Sequence, residues 1–271
     1  MHKLTQRYRY SLILLKQLVK TDFKLRYQGS TLGYIWSLLR PLLLFTTLYF
    51  IFGKFLKVGK GIPDYPQYLL LGILLWNYFT EVTAGSVAAI VGKGDLIRKI
   101  NFPKYVIILA GSFSAFINLL LNFVVFGVFM FFGHIALTWQ ALLILPLVLE
   151  LFIISLGVAF CLSALFVRFR DVTYIWEVIL QMAFYATPIL YKLSIIPHRY
   201  AKILILSPLA QIIQDARWAL IKPARPATDT IYQIYGGDKW IWAIPLGLTV
   251  AVVVLAGIYF RSHSKYFAEE V

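Results

Sequence analysis

The sequence predicts an all-α membrane protein with six transmembrane helices, an N-terminal amphipathic interface helix and short re-entrant helices before the last span. Three observations carry this prediction. Of the 271 residues, 60% are hydrophobic and 14% are charged, whereas a soluble domain carries roughly a quarter charged residues. Apolar runs of about 20 residues recur along the chain, long enough to cross a ~30 Å hydrocarbon core as helices. Those runs are continuously apolar rather than alternating, so helices and not barrel strands satisfy the backbone in lipid.

Residues 1–31 form a cytoplasmic amphipathic segment. Drawn as a helix, "YRYSLILLKQLVKTDFKLRY" puts Arg9, Lys16, Lys20 and Lys24 on one stripe and Tyr8, Leu12, Leu15, Val19 and Phe23 on another. That pattern fits a helix lying in the headgroup plane; the alternative is a soluble helix packed on a partner. The membrane-spanning body runs over 32–260, with spans near 32–53, 67–91, 104–132, 139–166, 172–191 and 240–260, and a cytoplasmic tail follows over 261–271. An even number of spans puts both termini on one side. Seven Lys/Arg precede residue 32, four lie between the second and third spans, two in "RFRD" and two in the tail. The opposite side holds ten over longer loops, so both termini are expected in the cytoplasm.

The net charge of +14 is explained by cytoplasmic loops and headgroup contacts, so membrane lipids are expected partners and nucleic acid is not. The one cysteine, Cys161, excludes an intrachain disulfide and a Cys-rich metal site. No metal site and no cleavable signal are expected: the basic N-terminal stretch lacks an uninterrupted apolar core. The external loop over 192–239 contains "AKILILSPLAQIIQDARWALIKP", which is apolar, broken by Pro208 and too short for two spans. Two short helices dipping back into the outer leaflet explain it, against protein or a watery cavity. A hairpin lying flat on the outer surface is the alternative.

Polar groups inside the spans need partners or water. Arg40, Glu81 and Glu150 are the intramembrane charges of the first, second and fourth spans, and Arg40 stands beside the kink-prone Pro41. Arg40 has two candidate partners, Glu81 and Glu177. Ser114, Asn118 and Asn122 share one face of the third span, where helix-to-helix hydrogen bonding is the favoured reading. The fifth span aligns Tyr174, Glu177, Gln181, Phe184, Pro188 and Tyr191, a stripe suited to a hydrated path. Phe45, Tyr49 and Phe52 stack on the first span, either as a platform for sugar C–H faces or as ordinary packing. Phe45, Tyr49, Phe52, Glu177, Gln181, Phe184 and Tyr191 are therefore the channel-lining candidates.

No catalytic constellation is present. G-x-x-x-x-G-K-[ST], H-E-x-x-H and G-x-S-x-G are all missing, and the four histidines are scattered. Uphill transport would need an ion gradient or ATP hydrolysis in another chain. The connector "KGDLIRKINFPK" fits the second option. Over 92–103, Leu96, Ile97 and Ile100 share a helical surface, with Arg98 and Lys99 off it. The apolar residues would fill a pocket on a soluble partner while the charges fix the docking.

Several stretches together resemble one family. "FKLRYQGSTLGYIWSLLRPLL" (23–43), "LIRKINFPK" (96–104), "LSALFVRFRDV" (162–172), "FYATPILY" (184–191) and "SPLAQIIQDARWALI" (207–221) resemble, in order and spacing, the signatures of polysaccharide-exporting ABC permeases. The chain departs from the pattern at Arg40, where the family often has a neutral residue. The resemblance implies a bacterial cytoplasmic-membrane subunit, multi-pass, that moves a lipid-linked polysaccharide such as O-antigen, wall teichoic acid or capsule. It implies a homodimer of permeases joined by two ATP-binding subunits. This chain would bind no cofactor, and ATP and Mg would be used by the partner ATPase. It also implies an interface helix, a coupling helix within 92–103, re-entrant helices and a continuous channel across the permease dimer. Two further readings remain: an ABC exporter of small lipids or drugs, and a polyprenol-linked sugar transferase. The dispersal of Asp64, Asp215, Asp229 and Asp238 speaks against the transferase.

Overall fold

The computed structural model describes residues 2–26, 33, 35–99, 102–221, 230–264 and 267, and among them every regular element is helical. The order is α1 (His2–Arg26), α2 (Ile35–Leu48, continued by a π-helical Tyr49–Phe55), α3 (Tyr65–Val87), α4 (Gly94–Lys99), α5 (Tyr105–Phe132) and α6 (Ile144–Arg168). Then come α7 (Val172–Ala186), α8 (His198–Ile205), α9 (Pro208–Leu220), α10 (Ile231–Ile234) and α11 (Ala243–His263). Among the described residues, four stretches are long and apolar enough to cross a membrane: Ile35–Phe55, Tyr105–Phe132, Trp139–Arg168 and Trp240–His263.

The second apolar run becomes the centre of the bundle. Leu69, Leu70 and Leu71 are successive and all have 0% exposure. Successive helical residues point about 100° apart, so α3 is enclosed on every side. It packs against α2, α5, α6, α7 and α9. Of its polar residues, Gln67 is enclosed by protein, whereas Asn77 and Glu81 are half-buried and border a cavity. The Gln67 amide donates to the Phe129 carbonyl at 3.1 Å. At the opposite flank α6 and α11 come close at Gly157, where an added Cβ would lie 2.8 Å from Val253 Cγ2. A small residue at this point lets two apolar helices approach closely.

Proline shapes two of the helices. Pro41 sits inside α2 and donates no hydrogen bond, which frees the carbonyl of Ser37 four residues earlier. Asn122 of α5 donates to that carbonyl at 3.4 Å and to Asn118 O at 2.8 Å. Thus Asn122 ties α5 to the kink of α2, and Asn118 Nδ2 donates to Glu81 of α3 at 3.1 Å. The polar face of α5 is interhelical, as its spacing suggested. The fifth run ends as a helix at Ala186, short of the expected residue 191. Thr187 is extended at φ −75°, ψ 135°, because Pro188 disfavours helical geometry in the residue before it.

Candidate functional site

One end of the bundle gathers α1, the α3–α5 connector and the end of α11. Lys93 donates to Asp22 of α1 at 2.9 and 3.0 Å. Lys104, just before α5, donates to the Ser264 carbonyl at 2.7 Å and lies 6.0 Å from the Phe267 ring. Phe267 is 1% exposed and packs on Phe260. The connector is thereby fixed to both terminal segments.

Within α4, Arg98 and Lys99 are exposed and Asp95 faces outward with them, while Leu96 is half-buried. Ile97 is only 7% exposed and belongs to the chain's own core. Ile97 thus seats α4 on its own bundle, while Leu96 of the same apolar surface stays partly open. Ile100 lies outside the described residues. The expected stripe of α1 also turns. Ser11 is buried and Leu14, Leu15 and Leu18 pack against the core, whereas Leu12 is 64% exposed. Tyr8 and Phe23 have side chains outside the described residues.

The fifth helix divides the channel candidates. Glu177 and Gln181 are exposed on α7, with Tyr174, Ile175, Val178, Met182 and Tyr185 also open. Leu180 is the buried residue of this helix. Phe184 instead turns toward α3, with its ring edge-on to Trp76 at 5.8 Å. Trp176 anchors the same side by donating to Thr83 Oγ1 at 3.2 Å. The Tyr191 hydroxyl donates to the Tyr185 and Ala186 carbonyls at 3.0 and 3.1 Å, closing the end of α7. On the first span, Phe45 is 6% exposed and meets Phe129 edge-on at 5.5 Å. Phe45 therefore packs between helices, and Tyr49 and Phe52 are half-buried above it.

Arg40 is exposed on α2. Arg40 and Glu81 line one cavity between α2, α3 and α5, of about 460 Å³. Glu150 faces Gln211 and Asp215 of α9, where Gln211 Nε2 donates to Asp215 Oδ2 at 2.7 Å.

Sequence reasoning missed Arg217. It stands on α9, 3% exposed, and donates to the carbonyls of Tyr68 (3.0 Å), Pro188 (2.7 Å) and Ile189 (2.8 Å). Its guanidinium also lies 3.5 Å from the Tyr68 ring. The Tyr65 and Tyr68 hydroxyls donate to Leu190 O and Tyr191 O at 3.0 and 3.1 Å. Together these groups satisfy the backbone that unwinds after α7. Gly72 makes the room: a Cβ there would lie 2.5 Å from Arg217 Nη2.

A bundle with polar seams, one widely exposed apolar helix and a short basic connector at one end is the architecture of a transport subunit. The profile of the ABC-2 type transporter family matches residues 13–221, and the chain belongs to that family. Membership brings a membrane setting and an ATP-binding partner. The chain is 32% identical over 209 residues to an O-antigen export system permease protein RfbA of Klebsiella pneumoniae, covering 77% of this chain and 80% of that protein. It is 28% identical to the RfbA protein of Myxococcus xanthus over 264 residues, covering 95% of each. A polysialic acid transport protein KpsM of Escherichia coli is 23% identical over 221 residues, covering 77% of this chain and 81% of that protein.

Proposed function

We propose that this chain is the permease subunit of an ATP-driven exporter that carries a lipid-linked polysaccharide across the bacterial cytoplasmic membrane. The observation that carries the reading is the likeness to an O-antigen export permease along 95% of the chain. O-antigen, capsule and teichoic acid polymers are the cargo classes. Six spans follow if α3 and α7 cross together with the four longer stretches, and both termini are then cytoplasmic. In that arrangement α9 is a re-entrant helix from the outer side, and the exposed Leu12 and Ile13 of α1 meet headgroups.

Two permeases and two ATP-binding subunits form the working unit, with ATP and Mg held by the latter. A single six-helix bundle packed at the usual 8–10 Å separations leaves little interior for a polymer; a two-fold pair supplies the path between subunits. The exposed surface of α7 supports this, since it leaves Glu177 and Gln181 available to a hydrated passage. The basic outward side of α4, with Arg98 and Lys99, docks on the ATPase. Half-buried Leu96 supplies its apolar edge, together with Ile100 of the adjoining sequence.

Deletion of the gene tests the cargo. The expected phenotype is loss of surface polysaccharide with lipid-linked polymer retained inside the cell. Normal surface polymer, accompanied by new drug sensitivity, would assign the chain to small-molecule export.

A further inference from the structure

The junction from the π-helical end of α2 to α3 is strongly basic. Lys54, Lys57 and Lys60 recur at every third residue and are exposed, and Asp64 is the only acid of this stretch. In the orientation proposed above this loop is external. Three lysines in so short an external loop run against the bias that keeps Lys and Arg beside the cytoplasm.

Local packing holds the turn in one shape. Gly59 lies on the Tyr65 ring, where an added Cβ would meet ring carbons at 2.5 Å. The Gly61 carbonyl accepts from Lys192 Nζ, which brings a fourth cation to the group from just beyond α7. Lys57 has φ 54°, a left-handed conformation that residues with a Cβ adopt at a cost. Strain of this kind persists where the surrounding structure fixes it, and it gathers at binding sites.

The basic group crowns the two helices assigned to the passage. Lys54 Nζ lies 5.8 Å from the Tyr49 ring of the first span. That ring is 6.4 Å from Tyr65, whose hydroxyl donates to the carbonyl of Leu190 at 3.0 Å, two residues before Lys192. Exposed Phe55 and Leu56, at 78% and 61%, set the turn at the membrane surface. Glu177 stands nine residues before the last of α7, about 13 Å inward along the helix and more than a screening length away.

Resting on the export reading, we propose that this lysine rim binds the acidic groups of the departing polymer, and that the cargo is an anionic polysaccharide with carboxylate or phosphate in its repeat unit. Cations at regular intervals meet successive acidic groups of one chain, whereas a neutral polymer gains nothing from them. Positive charge concentrated at the outlet draws the polymer out of the passage.

The surface polymer lost on deletion of the gene, freed of its lipid by mild acid, is the first probe. It should be retained on an anion-exchange column at neutral pH and contain uronate or phosphate. A neutral polymer overturns the proposal and leaves the export reading intact, whereas no lost polymer overturns the export reading itself and the rim with it. Lys54→Gln, Lys57→Gln and Lys60→Gln combined should lower surface polymer about tenfold at equal amounts of chain in the membrane. The corresponding triple Lys→Arg variant should keep it. Unchanged export by the Gln variant overturns the proposal, and loss of copurifying phosphatidylglycerol from it would then assign the lysines to headgroups. Lys60→Cys in a Cys161→Ala background should react with a membrane-impermeant thiol reagent added from outside. Reaction only from the cytoplasmic side overturns the orientation on which the proposal rests.

Discussion

Arg217 shows how backbone carbonyls hold a buried cation. Its nitrogens face the Pro188 and Ile189 carbonyls freed where α7 unwinds and the Tyr68 carbonyl of α3, and charge-assisted hydrogen bonds of this kind contribute about 1.5–3 kcal/mol each. Arg217→Gln removes the charge and leaves carbonyls unpaired in the core, so the melting temperature should fall sharply, by the equivalent of about 3 kcal/mol or more. Gly72→Ala pushes a methyl group into the same guanidinium and should cost about 1–3 kcal/mol. The two changes act on one contact, so the double variant should be destabilised by less than their sum. Strict additivity in thermal melts would refute the coupling. Nothing in the sequence singles out Arg217, which reads as one of seven cations of the last external loop. Its meaning depends on Tyr68 and Ile189, which are far from it in the chain, and periodicity carries no such information.

At the level of elements, the long uninterrupted apolar runs were legible because length and hydropathy alone define them. The central position of α3 was not, since hydropathy does not say which of several apolar runs the others surround. The end of α7 was misplaced because Thr187–Leu190 remain apolar enough to extend the run while Pro188 stops the helix. Within α4 the sequence identified the apolar residues correctly, but their spacing does not say whether they face a partner or the chain's own bundle; for Ile97 it is the bundle. The ion pair of Lys93 with Asp22 gives a test of communication between α1 and this connector. Both side chains are 26% exposed, so the pair contributes no more than about 1 kcal/mol to stability. Asp22→Lys should leave the melting temperature nearly unchanged yet uncouple ATP hydrolysis from export. Adding Lys93→Asp should restore coupling. An Asp22→Lys variant that exports normally would remove this pair from the coupling route.

On the scale of the whole molecule, the two sides of the bundle are unequal. Helix α3 is mostly enclosed, while α7 presents Tyr174, Val178, Met182 and Tyr185 at 71%, 54%, 60% and 63% exposure. In a Cys161→Ala background, cysteines at Glu177 and Gln181 should react with water-soluble thiol reagents, and one at Leu180 should not, because thiolates form where water reaches. Equal labelling at all three positions would reject a hydrated passage along α7. Single cysteines at Val178 or Met182 should cross-link two copies of the chain if that surface meets its own twin; a purely monomeric product after oxidation would reject the pairing. The Arg217 contact has a further consequence during biosynthesis. The ribosome delivers the Gly72 notch early and its occupant 149 residues after Tyr68. Until α9 is threaded into place, every nascent or truncated form carries an unfinished break after α7 and an unfilled slot on its central helix. Completion of the fold is thereby made conditional on the late-synthesised segment, so a quality-control protease that reads exposed backbone in the membrane can distinguish finished subunits from abandoned ones.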